Sequence, residues 1–184
     1  MINKYKYSPS FYYESIFDIP YDFFYNQKKI KALFFDLDNT LLRPEEKKLN
    51  DATQIILKKL SLKFQIVIIS NASFKKLKNI ISMEYLNYIY LNFFRKKPSH
   101  WGLQKALTSF NLNHDEVVMI GDQLRTDILS ANKMNILSIL VKPLDKEKES
   151  LITKLSRYFI EKRFISKIKK IDSQEYNRKF KNFL

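Results

Sequence analysis

The sequence predicts an open parallel α/β sheet. Five short apolar runs alternate with segments of helical spacing. The runs are continuous rather than alternating, as in strands buried on both faces. The chain has 184 residues, 45% of them hydrophobic, which suits one domain with a core of its own.

The elements follow in order. Residues 1–30 are rich in aromatics, including Phe11, Tyr12, Tyr13, Phe17, Phe23 and Phe24, and Pro9 and Pro20 interrupt any long element. They read as an N-terminal arm packed on the body and partly helical. Ala32-Leu33-Phe34-Phe35 is the first strand and ends in Asp36. Residues 46–61 place Leu49, Ala52, Ile56 and Leu60 near helical spacing. Phe64–Ile69 is the second strand and ends at Ser70-Asn71. Residues 73–84 read as a helix, Tyr88–Phe93 as the third strand, and 99–111 as a helix with Ser99 as cap. Val117–Ile120 is the fourth strand, 124–134 a helix, and Ile136–Val141 the fifth strand. The alternation gives a Rossmann-like open sheet flanked by helices, with right-handed crossovers. Residues 145–170 form a basic amphipathic helix, with Leu151, Leu155, Tyr158, Phe159, Ile165 and Ile168 roughly on one side. Residues 171–184 are polar and expected to fray. The core is thus 31–142, between the arm and a basic C-terminal extension, 143–184.

Composition removes several chemistries. Without cysteine there are no disulfides, thiol nucleophiles or thiolate metal sites. Two histidines, His100 and His114, make a multi-histidine zinc site unlikely to assemble, and two glycines exclude a P-loop or dinucleotide fingerprint. No run approaches the ~20 apolar residues that span a bilayer, and the N-terminus lacks a signal-peptide apolar region. The expectation is a cytoplasmic chain. The net charge of +14 favours phosphorylated, anionic-lipid or nucleic-acid partners. The same excess also fits an AT-rich codon bias, since the chain is equally rich in Ile, Asn, Phe and Tyr.

In an open parallel sheet, ligands bind beyond the carboxyl ends of the strands. There the sequence delivers Asp36-Leu37-Asp38-Asn39-Thr40, then Ser70-Asn71, then Lys96-Lys97-Pro98, then Gly121-Asp122 with Asp127 five residues on. Several carboxylates gathered on one rim repel unless a cation joins them. All-oxygen donors suit Mg²⁺. A carboxylate beside such a cation can attack phosphorus. A second carboxylate two residues away can protonate the leaving oxygen and then deprotonate a water. A lysine and a hydroxyl can hold the phosphoryl oxygens. D-x-D-x-T alone arises by chance in roughly a few per cent of chains this long. Its place after an apolar strand, with the other groups in order at later strand ends, makes the set specific.

These residues resemble the haloacid dehalogenase (HAD) superfamily of phosphohydrolases. Phe34-Phe35-Asp36-Leu37-Asp38-Asn39-Thr40-Leu41 is similar to its first motif, Ser70 to the second, Lys97-Pro98 to the third, and Gly121-Asp122-Gln123-Leu124-Arg125-Thr126-Asp127 to the fourth. Lys96-Lys97-Pro98, the fourth motif and Ser15-Ile16-Phe17-Asp18-Ile19 resemble the YqeG-type branch of subfamily IIIA, which includes phosphatidylglycerophosphate phosphatases. The resemblance covers about residues 9–142. It implies Asp36 as nucleophile and Asp38 as general acid and base. It implies Mg²⁺ on Asp36, the Asp38 carbonyl and Asp122, with Asp127 as an outer or water-mediated partner. Ser70 and Lys97 would hold the phosphoryl group, supported by Thr40 and Asn71. Lys97 is preferred to Lys96 because the family pattern places the lysine directly before the proline. At Lys133-Met134-Asn135 the family often carries glycine, and Asn135 tolerates the left-handed conformation expected there.

The intervals after the first two motifs are too short for a large cap domain, so the site is expected to be open to large substrates. With the basic helix, this suits phosphatidylglycerophosphate at a membrane surface, reached by peripheral contact through the C-terminal helix. Two other readings stand beside it. One is an RNA- or ribosome-associated binding protein on the same fold. The other is a phosphatase of soluble sugar or nucleotide phosphates.

Overall fold

The computed structural model describes residues 5–80 and 83–183. Within them, one sheet is built from β1 (Phe11–Tyr13), β2 (Ala32–Phe35), β3 (Gln65–Ser70), β4 (Asn87–Tyr90), β5 (Val117–Gly121) and β6 (Leu137–Val141). The order is β1-β6-β5-β2-β3-β4, and every pairing is parallel. All carboxyl ends therefore lie on one edge. Phe35 pairs with Ile68 on one side and Ile120 on the other, so β2 is central. Its four residues are all buried. Leu33 and Phe35 enter the core on one face of the sheet, Ala32 and Phe34 the core on the other. Truncating Phe35 to Ala would cost about 3–5 kcal/mol. That packing fixes the strand from which Asp36 emerges, and the Asp36 N–H extends the ladder to the Ile120 carbonyl at 2.9 Å.

The helices are α1 (Tyr21–Asn26), α2 (Asp51–Ser61), α3 (Phe74–Ile80), α4 (Trp101–Phe110), α5 (Leu129–Asn132), α6 (Leu151–Ser156), α7 (Arg163–Ile171) and α8 (Ser173–Lys179). Asn50 caps α2 through Thr53 N–H at 2.9 Å, so that helix starts later than residue 46. The cap expected at Ser99 falls one residue later: His100 is the N-cap of α4, and the Ser99 hydroxyl accepts from Trp101 N–H at 3.3 Å. The helix expected over 73–84 is present as α3, and its positions 81 and 82 lie outside the described residues. The strand expected to reach Phe93 stops at Tyr90, and Phe93–Arg95 is a 3-10 turn. Asn135 adopts φ 55°, the left-handed conformation expected of it. No cap domain interrupts the described residues between β2 and β4.

Three local expectations are corrected. Phe11–Tyr13, expected within a partly helical arm, is a sheet strand paired with β6. Its side chains alternate: Phe11 and Tyr13 pack on the first core, Tyr12 on the C-terminal one. Residues 171–184 do not simply fray. Asp172 caps α8 through Glu175 N–H at 3.0 Å, and Phe180 and Phe183 are buried with Ile165, Ile168 and Leu140. The single apolar stripe of the basic helix is split. Ile165 and Ile168 are buried, whereas Leu151, Leu155, Tyr158 and Phe159 are exposed. The π-helical stretch Arg157–Lys162 between α6 and α7 widens the turn and breaks the 3.6-residue phase.

Candidate active site

A cavity of about 410 Å³ opens on the carboxyl edge of the sheet, lined by Asp36, Asp38, Ser70, Asn71, Lys97 and Asp122 among others. Asp36 arrives from the end of β2, Ser70 and Asn71 from β3, Asp122 from just after β5. Asp127 stands on the π-helical turn Leu124–Ile128. Gly121 makes room for it: a Cβ there would meet Asp127 Cγ at 2.4 Å. Oxygens of Asp36, Asp122 and Asp127 lie within 4.8 Å of one another, and all three residues are buried.

Lys97 joins two of them. Its ammonium donates to Asp36 Oδ1 and Asp127 Oδ1, each at 2.6 Å, with its side chain only 2% exposed. Asn71 holds the Lys97 backbone from both sides, accepting from its N–H at 2.8 Å and donating to its carbonyl at 3.1 Å. The Thr40 hydroxyl donates to Asp122 Oδ1 at 3.3 Å. Ser70 is buried and lines the same cavity, its hydroxyl accepting from Ala72 N–H at 3.2 Å. Asp38 sits at the mouth, its side chain 44% exposed, and accepts from the Lys76 ammonium at 2.5 Å. Lys96 is exposed.

The structure adds residues that the sequence did not reveal. Arg157, from the C-terminal helix, pairs with the Asp122 carboxylate and donates to the Asp122 carbonyl at 2.9 Å. It also pairs with Glu149 at 2.8 Å and Glu161 at 3.1 Å. Glu161 in turn accepts from the N–H of Leu124 at 2.8 Å, at the start of the turn that carries Asp127. Glu149 accepts from Asn39 at 3.0 Å, beside Asp38. The extension is therefore wired into both acidic loops. A signal was present for two of them, since Arg157 and Glu161 are four residues apart on one helical face, whereas Glu149 lies before α6. Lys76 gave no such signal.

Electrostatics follow from this crowding. Burial pushes Asp36 well above the ordinary carboxylate range; Lys97 opposes this, and Asp127 and Asp122 add to it. Burial likewise pushes Asp122 up to about 7 against the opposing charge of Arg157. Burial works against the Lys97 charge, but Asp127 and Asp36 outweigh it and hold its pKa above the ordinary value. Asp36, Asp122, Asp127, Glu149 and Glu161, all buried, face two cations, the buried Lys97 and the half-buried Arg157. Excess negative charge on convergent oxygens fits a hard divalent cation such as Mg²⁺.

Comparison with known proteins agrees with this geometry. Residues 1–144 match the family model described as mitochondrial PGP phosphatase. A probable phosphatase of Bacillus subtilis, YqeG, is 29% identical over 149 residues, covering 78% of this chain and 81% of its own. A HAD family enzyme of Bacteroides thetaiotaomicron, solved as a magnesium complex, superposes with a TM-score of 0.51 at 14% identity over 65% of this chain and 96% of its own. A protein from Listeria monocytogenes superposes with a TM-score of 0.50 at 21% identity, covering 66% and 86%. At such identities the two structures establish the shared fold alone. The family match covers most of the chain, and with it the acidic rim acquires a name: this chain belongs to the mitochondrial PGP phosphatase family and is a phosphatase of the HAD superfamily.

Proposed function

We propose that this phosphatase hydrolyses phosphomonoesters through an aspartyl-phosphate on Asp36, and that its substrate is phosphatidylglycerophosphate. The observation that carries the reaction is the buried Asp36, held at 2.6 Å by Lys97 at the end of the central strand. Asp36, Asp122 and the Asp38 carbonyl would hold Mg²⁺, with Asp127 behind them. Bound there, the ion neutralises the gathered carboxylates and polarises the phosphoryl group.

An Asp36 oxygen forms a bond to phosphorus as the ester P–O bond breaks. Asp38, at the mouth, gives its proton to the departing alkoxide oxygen. It then takes a proton from water, whose oxygen attacks phosphorus and expels Asp36 with release of phosphate. Lys97 and Ser70 hold the non-bridging oxygens. Lys97 already lies against Asp36, so it needs no large movement to follow the transferring group. Thr40 keeps Asp122 in place, and Asn71 does the same for the Lys97 backbone. Residues 31–142 carry this chemistry, completed by 1–30 and 143–184 from either end.

The lipid substrate is supported by the family and by the open rim, where no cap domain encloses the cavity among the described residues. Membrane contact through the C-terminal helix is supported by its outward face. Leu151 and Ile152 are each 77% exposed, and Tyr158 and Phe159 stand beside them with Lys162, Arg163 and Lys167. No described helix is long and apolar enough to cross a membrane, so such contact would be interfacial.

Hydrolysis of an aryl phosphate with Mg²⁺, compared with Asp36→Asn and with EDTA, tests the reaction. Loss in both is expected; activity retained in Asp36→Asn would overturn the assignment. Phosphatidylglycerophosphate in mixed micelles, set against soluble sugar and nucleotide phosphates, tests the substrate. A preference for a soluble phosphate would overturn the lipid reading.

A further inference from the structure

We infer that the turn Phe93-Phe94-Arg95-Lys96 seats the active-site rim on an anionic lipid bilayer. This deepens the lipid reading above and rests on it. The turn follows β4 and leads directly into Lys97, so it borders the edge on which the cavity opens. Phe93 is 79% exposed and Phe94 89%, and they lie edge to face with ring centres 5.5 Å apart. Two adjacent phenylalanines held in water on a 3-10 turn contribute nothing to the core of this chain. Tyr90, three residues upstream, is also exposed and packs against the exposed Phe74 at 5.5 Å. Aromatic surface therefore continues from the turn onto the end of β4.

Charge selects the occupant. From Ala52 to His114 the chain carries ten lysines and arginines and a single acid, Glu84. Arg95 and Lys96 are exposed beside the two phenylalanines, and Arg95 is held over the Trp101 ring at 4.1 Å. Aromatic side chains flanked by exposed cations match the boundary of an anionic bilayer, where rings enter the acyl edge and cations meet phosphates. Another protein surface would need matching acids. A lipid phosphate enters beside Lys97 without leaving the surface.

The test is sedimentation with vesicles of phosphatidylglycerol and phosphatidylcholine, or of phosphatidylcholine alone. Wild type is compared with the double variant Phe93→Ser, Phe94→Ser and with Lys96→Gln. Wild type is expected on the anionic vesicles only. The double variant should bind them roughly tenfold less or weaker still, since binding scales with inserted apolar area. Lys96→Gln should lose a few-fold and wild type should detach as salt rises. Melting temperature and aryl phosphate turnover should not change in the double variant.

Unchanged sedimentation of the double variant, or equal binding of wild type to neutral vesicles, would overturn the inference. So would a wild-type dimer that the double variant converts to monomers in light scattering, because a second copy would then be the occupant. If wild type cleaves micellar phosphatidylglycerophosphate but stays off the vesicles, the surface fails and the substrate stands. If it binds through Phe93 and Phe94 yet cleaves no lipid phosphate, the substrate fails and the surface stands.

Discussion

Lys97 and Arg157 are both cations set among carboxylates, Lys97 buried in the wall of the cavity and Arg157 half-buried behind Asp122. Lys97 bridges Asp36 and Asp127, and its backbone is clamped by Asn71. Arg157 bridges Asp122, Glu149 and Glu161, and its helix lies 35 residues beyond Asp122. Lys97 faces the Asp36 carboxylate, the proposed nucleophile. Arg157 touches the outer side of a carboxylate whose other oxygen receives Thr40. In the proposed mechanism Lys97 would act on the phosphoryl group directly, and Arg157 would hold the acid that holds the metal. The same kind of ion pair thus serves two purposes, and position relative to Asp36 tells them apart.

The largest effect expected is at Asp36, the proposed nucleophile. Asp36→Asn should lower kcat on the order of 10⁵-fold while circular dichroism stays unchanged. Next, Lys97→Ala should cost on the order of 10²–10³-fold in kcat, and Lys96→Ala less than about twofold. Equal losses in steady-state kinetics would erase the distinction between the buried and the exposed lysine. Arg157 should behave differently from Lys97. Arg157→Met should weaken Mg²⁺ binding about 10–100-fold, read as the shift in melting temperature on Mg²⁺ titration. Saturating Mg²⁺ should restore much of kcat, and Arg157→Lys should recover part of the affinity. A loss of kcat that saturating metal leaves untouched would place Arg157 with Lys97 instead.

A smaller effect is expected from pH. Asp122 has an ordinary value of 3.8 and stands at about 7 in the folded protein. The folded state therefore keeps a proton that the unfolded chain releases, and stability falls as pH rises between these values. In EDTA the melting temperature should drop from about pH 5 to about pH 8, and Asp122→Asn should flatten that slope. Mg²⁺ should recover more stability at the upper pH than at the lower. Smallest of all, Phe159→Ser on the outward helix face should change folding stability by less than about 0.5 kcal/mol. A larger loss in thermal unfolding would mean that this face packs on the chain after all.

The sheet was legible in the sequence because a strand buried on both faces must be apolar throughout, as in Ala32–Phe35 and Val117–Ile120. The acidic loops were legible because each follows such a strand. Phe11–Tyr13 escaped because an edge strand of three half-buried aromatics carries neither a long run nor a clear alternation. Arg157, Glu149 and Glu161 escaped for another reason. Arg157 and Glu161 read as an ordinary exposed helical pair, Glu149 lies before α6, and only the tertiary fold brings the three together. The split stripe of the same helix escaped because a π-helical stretch shifts the phase on which periodicity depends.

The pairing of β1 with β6 has a consequence for how the protein is made. Ser10 and Ser138, which exchange hydrogen bonds beside this pairing, are 128 residues apart. At ~5–20 residues per second of synthesis, the first strand waits on the order of ten seconds for its neighbour to emerge. Until then Phe11, Tyr12 and Tyr13 have no sheet to join, and Phe180 and Phe183, which close over Tyr12, are made later still. β1 is thus made before the strand and side chains that bury it. A nascent chain is therefore open to sticking and proteolysis at Phe11–Tyr13 until β6 has emerged.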